Sequence, residues 1–385
     1  THRRLRDVFT KRAEAAAATG DGRAAVAALG RAVDHAAADP AIDLGEWWAA
    51  IFDAFGPRVG VGLFEPLARR MVEVFERADG DERGRGVATG ILGDVRVAQG
   101  DLAGALTAYE AGLAIAERLT AGDPSNTAWQ YDLGVSNERL GEVRLAQGDL
   151  SGALEAYQER HDIIAKLAAG DPSNTAWQRD LFVSHVKLGD VRTAQGDLAG
   201  ALEAYEAGLA IAARLAAGDP SNTEWQRDLS VSHNKIGDVR RARGDLAGAL
   251  TAYEAGHAIA ARLAAGDPSN TEWQRDLSVS FERLGDIALR RGVPTQAADY
   301  FERSLRVMRP LADADPGHAA FQRHVAVTLV LWGGALAAAG RGDRAAEAYA
   351  EALAHLERLS AEGRLAPVDA WMPEDLRRRL AGLGG

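Results

Sequence analysis

The sequence predicts an all-α solenoid of stacked antiparallel helix pairs, and three observations carry that prediction. The first is a unit that recurs every 48 residues without a slip in register, typified by residues 196–244. Its Trp-Gln pair returns at Trp129, Trp177, Trp225 and Trp273, and Phe321 opens a degenerate copy. Its turn glycine returns at Gly100, Gly148, Gly196, Gly244, Gly292 and Gly340, followed by Asp in the first four. A fixed period of roughly 20–50 residues marks units that cannot bury their apolar face alone and stack on their neighbours. The second observation is composition: alanine and leucine dominate and aromatics make up only 6%, which favours helix over sheet. The third is apolar spacing. Trp129, Leu133, Ser136, Leu140 and Val143 step by four and three, as do Leu102, Ala105, Leu106, Tyr109, Leu113, Ala116 and Leu119, so both helices of a unit carry a single buried stripe.

Taken in order, residues 1–84 read as divergent helical repeats, 85–362 as six helix pairs, and 363–385 as a capping helix. Residues 1–19 form a helix; Gly20-Asp21-Gly22 turns the chain into a second, about Arg23–Ala38, closed by Asp39-Pro40. Helices of about Leu44–Phe55 and Leu63–Ala78 follow, separated by a long turn over Gly56–Gly62 that is either part of a divergent repeat or a docking place. In the array, the first helices are expected to end near Gln99, Gln147, Gln195, Arg243, Arg291 and Ala339. Between units, Gly122 suits a left-handed helix stop, and Thr127/Gln130, Thr175/Gln178, Thr223/Gln226 and Thr271/Gln274 read as capping boxes. Pro310 should stop or kink the fifth second-helix near Arg309. A helix from about Pro373 to Ala381 is expected to cover one end of the stack.

Composition excludes several function classes. The net charge is −11, and no Lys/Arg run exceeds Arg377–Arg379, so the electrostatic footprint of a nucleic-acid binder is missing. There is no cysteine, which rules out disulfides and thiolate metal sites and is compatible with a cytoplasmic location. No apolar run is long enough to cross a membrane. Phosphate-loop, nucleophile-elbow and zinc-protease motifs are lacking, so neither catalysis nor a cofactor is expected.

The repeats resemble the tetratricopeptide repeat (TPR) family. Leu140-Gly141, Gly148-Asp149, Ala153 and Tyr157 stand at that family's Leu-Gly, turn, small-residue and aromatic positions, and the pattern returns at Leu188-Gly189/Ala201/Tyr205 and Ile236-Gly237/Ala249/Tyr253. The unit departs from the family's 34 residues by lengthening the first helix. Asn137, His185, His233 and Phe281 replace one family aromatic, while Arg144, Arg192 and Arg240 replace a Tyr. The resemblance implies a right-handed superhelix whose first helices line a concave groove that holds a partner protein or peptide. Longer-helix arrays of this kind are similar to those in bacterial signalling and conflict proteins. The alternative is therefore a regulatory or sensor arm of a larger enzyme, an NTPase or protease whose catalytic domain lies outside this chain.

Internal copies allow constant and varying positions to be told apart. The constant tryptophans Trp129, Trp177, Trp225 and Trp273 read as structural anchors rather than a ligand box. Three varying positions share one face of the first helix: Gly134/Phe182/Ser230/Ser278, Glu138/Val186/Asn234/Glu282 and Leu145/Thr193/Arg241/Leu289. They read either as drift on an exposed surface or as a groove of changing chemistry anchored at Phe182 and Val186. An acid follows the helix glycine at Asp94, Glu142, Asp190, Asp238 and Asp286. This ladder either meets a basic segment of the partner or pairs with Arg96, Arg144, Arg192 and Arg240 of neighbouring units. His185 and His233 invite a metal reading, but zinc needs further ligands that do not repeat there. Self-association, through Phe182-type residues or an uncovered end, is a further alternative.

Overall fold

The computed structural model describes residues 2–39, 42–77 and 81–383, and every regular element among them is helical. The predicted all-α class of consecutive helix pairs is what the chain forms. Two units divide it, Thr1–Gly196 and Asp197–Gly385.

In the first unit, α1 (His2–Ala18) and α2 (Gly22–Ala37) form a hairpin, followed by α3 (Leu44–Val59) and α4 (Glu65–Arg77). The regular pairs begin with α5 (Glu82–Gln99) on α6 (Leu102–Gly122), then α7 (Thr127–Ala146) on α8 (Leu150–Gly170), with α9 (Thr175–Ala194) against α8. The second unit runs α10 (Leu198–Gly218), α11 (Thr223–Ala242), α12 (Leu246–Gly266), α13 (Thr271–Arg290), α14 (Pro294–Ala314), α15 (Ala319–Ala338) and α16 (Gly342–Ala361), each packed on the next. The last helix, α17 (Met372–Leu383), buries Met372 and Leu376 in the core shared with α14–α16.

The turn inside each pair follows from two residues. Gly148 takes a φ of 81°, the left-handed conformation that glycine enters without steric cost. Asp149 then caps the second helix, its carboxylate accepting the Gly152 N–H at 2.9 Å. The loop between pairs is built differently from the expectation. The N-cap is Asn174, whose Oδ1 accepts the Trp177 N–H at 3.1 Å, not Thr175, which is already helical. The expected Gln partner of the box turns the other way: Gln178 Nε2 donates to the Ala168 carbonyl at 3.1 Å, as Gln226 does to Ala216 and Gln274 to Ala264. These glutamines satisfy carbonyls that the last turn of the preceding helix leaves without intrahelical partners. Gly122 is likewise not left-handed; α6 runs through it, and the extended Asp123 makes the stop.

Two further expectations are corrected. α14 continues through Pro310, which is exposed; the Arg306 carbonyl that loses its intrahelical donor is on a solvated stretch. The turn expected over Gly56–Gly62 is mostly helical, since α3 extends to Val59, Gly60 takes a φ of 88°, and a 3-10 turn follows at Val61–Phe64. Pro40 and Ala78, proposed as helix stops, lie outside the described residues.

Candidate partner-binding surface

The pairs α5/α6, α7/α8, α11/α12, α13/α14 and α15/α16 are each held by a glycine under an aromatic ring. A Cβ on Gly141 would stand 2.6 Å from the Tyr157 ring, and one on Gly285 2.7 Å from the Phe301 ring, closer than real carbon contacts, so the ring and the first-helix backbone meet only because the side chain is absent. The tyrosine hydroxyl then reaches the acid that follows the glycine: Tyr109 donates to Asp94 at 2.8 Å and Tyr253 to Asp238 at 2.7 Å. Burial, reinforced by the neighbouring carboxylate, pushes both phenols well above their ordinary range. Burial also raises the Asp94 carboxyl, against the opposing pull of Arg139.

The same acids bind a basic residue on an adjacent first helix. Arg139 meets Asp94 at 2.8 Å, Lys187 meets Glu142 at 2.5 Å, and Arg283 meets Asp238 at 3.1 Å. Asp286 takes Arg241 at 3.0 Å and Arg290 at 2.9 Å. The expectation that Arg96 and Arg144 would be the partners is corrected: these guanidiniums donate to the Gly104 and Gly152 carbonyls, at 2.7 and 3.2 Å. Neighbouring-repeat pairing is therefore real, through different cations from those the spacing suggested.

The varying positions separate by depth. Gly134, Phe182, Ser230 and Ser278 are all buried; in α7, α11 and α13 this position faces the second helix of its own pair. Ser230 donates to the Gly256 carbonyl at 3.0 Å, Ser278 meets Ser304 Oγ at 2.7 Å, and a Cβ on Gly134 would touch Ile164 at 3.4 Å. Phe182, only 3% exposed, is thus a core side chain and not the anchor of an open groove, nor a contact for self-association as the chain is folded. At the second position, Glu138 binds Arg160 at 2.8 Å and Glu282 lies 2.9 Å from His324, while Val186 and Asn234 are half-buried. At the third, Leu145 and Thr193 are exposed, Arg241 is bound to Asp286, and Leu289 packs on the C-terminal core. Asp190, like Asp238 and Asp286, is half-buried; of the sixteen candidates, Glu142, Leu145 and Thr193 are the exposed ones.

The tryptophans Trp129, Trp177, Trp225 and Trp273 are half-buried, not enclosed. His185 stacks edge-on with His161, ring centroids 4.7 Å apart, and burial together with His161 pulls its pKa down to about 4. In the second unit His257 packs on Phe281 at 4.6 Å.

Sequence reasoning missed the residue opposite the first varying position. Ser230 meets Gly256 and Ser278 meets Ser304, each 26 residues on; in the same register Gly134 corresponds to Arg160 and Ala326 to Ala352. Arg160 is buried, its Nε 2.8 Å from Glu138 and its Nη1 3.0 Å from the Asp180 carbonyl, with Ser184 also in contact. In the α5/α6 pair the two residues are Gly86 and Gly112, and a cavity of about 100 Å³ lies there, bounded by α5, α6 and α7. The signal was present in the 48-residue register, and needed only the second helix to be compared as the first was.

No family model matches the chain, and no curated protein does. Among solved structures, BtubC (BKLC) from P. vanneervenii is 18% identical with a TM-score of 0.52, covering 67% of this chain and 91% of that one. A STAND signal-transduction ATPase with a tetratricopeptide repeat sensor from Pyrococcus horikoshii is 11% identical with a TM-score of 0.59, covering 98% of this chain and 49% of that one. The apo form of RapI is 10% identical with a TM-score of 0.53, covering 99% of this chain and 97% of that one. The fold is TPR-like.

Proposed function

We propose that the chain is a non-enzymatic, cytoplasmic scaffold that binds a partner protein or peptide, without nucleic acid or cofactor. The observation that carries this reading is a TPR-like frame of stacked pairs that is constant from repeat to repeat and open at one place. Gly-aromatic contacts, Gly-Asp turns and Asn caps repeat along the array, whereas Gly86 facing Gly112 in the α5/α6 pair leaves a cavity. An array of stacked pairs offers an extended surface to a partner, and the opening between α5, α6 and α7 breaks that surface at one place. Among the described residues, no helix is long and apolar enough to cross a membrane.

A second reading follows from one comparison. Nearly the whole chain aligns with about half of the STAND ATPase, which supports a sensor arm attached to a larger signalling enzyme. Affinity capture with the intact chain, followed by calorimetry with the purified captured protein, tests the scaffold reading. Saturable binding of one partner is expected, and the absence of any saturable partner overturns it. The encoded reading frame separates the two forms of the proposal.

A further inference from the structure

We propose that the Gly86/Gly112 cavity is a socket for one aliphatic side chain of the partner, seated beside a basic residue of the same segment; this rests on the scaffold reading above. The socket is a vacancy in a register where the chain itself supplies the filling elsewhere. One repeat later, at the junction of α7, α8 and α9, the equivalent of Gly112 is Arg160, buried and bonded on both sides. Gly112 is not enforced by crowding: a Cβ there would come no closer than 3.6 Å to the Gly86 carbonyl, an ordinary contact. The helix could carry a side chain at this point and does not.

The walls select the occupant. Val87, Ile115, Ala116, Leu119 and Val135 line the cavity with methyl groups. A cavity of about 150 Å³ lined by aliphatic side chains stays dry and accepts benzene, so this one, at about 100 Å³, holds a side chain of three or four carbons. A guanidinium like that of Arg160 does not suit it. The Glu138 that receives Arg160 has Gly90 as its equivalent, and the Arg139 guanidinium already stands there, 2.6 Å from where a Gly90 Cβ would be. The polar groups at the rim are paired with one another: Arg83 with Asp132 at 2.7 Å, Arg139 with Asp94 at 2.8 Å, and Ser136 donating to the Asp132 carbonyl at 2.9 Å. An apolar group entering there leaves none of these pairs broken.

Charge complementarity gives the neighbouring residue. A second recess of about 240 Å³ shares Arg83, Val87 and Asp132 with the socket. Its other charged lining residues are Asp43, Glu46 and Asp81, so four carboxylates face one guanidinium. A lysine or arginine next to the aliphatic residue meets that excess.

The test is a titration of the full chain, followed at the Ile115 and Leu119 methyls by carbon-13 NMR, with three capped tetrapeptides: Gly-Leu-Lys-Gly, Gly-Ala-Lys-Gly and Gly-Leu-Glu-Gly. Saturable shifts are expected with the first. Binding should weaken about tenfold or more with the second, which loses three carbons of apolar side chain, and several-fold with the third, a difference that fades as salt is raised. Gly112→Leu fills the socket from within, so it should abolish the shifts and raise the unfolding midpoint. Should that variant not fold, Gly112→Ala, whose Cβ has room, is expected to weaken binding in the same direction. Methyls unmoved by Gly-Leu-Lys-Gly, equal shifts with the alanine peptide, or binding that survives a folded plugged variant each overturn the socket. A captured partner that binds the plugged chain as tightly as the wild type also overturns it, and leaves the scaffold reading standing.

Discussion

Two stretches of the first unit solve the same packing problem by opposite means. The helices α1–α4 fill their core with large side chains: Trp48, Phe55, Phe64, Met71 and Phe75, together with Leu29 and Val33, all closed from solvent. The pairs that follow use Ala105, Ala153 and Ala156, a tyrosine per pair, and glycines that bring backbones together. The difference teaches what a repeat requires. A unit that must fit an identical neighbour on each side packs by close approach, with small residues fixed in register, and leaves its variation to the few positions where a side chain can be exchanged. A stretch without that constraint fills space with whatever is bulky, and its sequence keeps no period.

Substitutions break this contrast in a definite order. Trp48→Ala empties a fully buried site, and a loss of about 3–5 kcal/mol is expected in denaturant unfolding. Gly141→Ala drives a methyl into the Tyr157 ring and should cost about 1–3 kcal/mol, the range for overpacking; a neutral result would mean that the ring can slide away. Trp225→Ala should cost roughly 1–2 kcal/mol, less than a buried aromatic, because the side chain is only half covered. Asp238→Lys, which sets a cation against Arg283 and strips Tyr253 of its acceptor, should lower stability by about 1 kcal/mol, since the pair is partly exposed.

A further effect is one of pH. Burial beside His161 holds His185 at a pKa of about 4, below its value near 6.5 in the unfolded chain. Between these values the unfolded state binds more protons, so stability is fully present above about pH 6.5 and declines as pH falls toward 4. His185→Phe should flatten that decline in unfolding curves taken at pH 7 and pH 5; an unchanged slope would place the sensitivity elsewhere.

The sequence revealed the array because its strongest signal, the 48-residue register, is what stacking enforces. The Gly-Asp turn and the glycine-aromatic contacts follow directly from it. Side-chain direction was less legible. Thr-x-x-Gln has the form of a capping box, but Asn174 one residue earlier takes the cap, and Gln178 is drawn to a carbonyl ten residues back that no local pattern discloses. Phe182 varies among the copies as a surface residue does, yet it is buried. The equivalent serines show why, since Ser230 is matched to the Gly256 carbonyl and Ser278 to Ser304 inside the pair. A position can vary because its partner varies, and a single helix cannot show that. The Pro310 expectation failed for a simpler reason, since a proline on an exposed face removes one hydrogen bond that water can replace.

First-helix acids are engaged within the array, and the cavity between α5, α6 and α7 is left for recognition. Calorimetry of a captured partner against a chain carrying Glu142→Gln, Asp238→Asn and Asp286→Asn, beside denaturant unfolding of the same variant, tests that division most directly. The account predicts lower stability and an affinity unchanged from the wild type at both low and high salt. Undiminished stability with a clear loss of affinity, strongest at low salt, would contradict it and make the acidic ladder the binding surface.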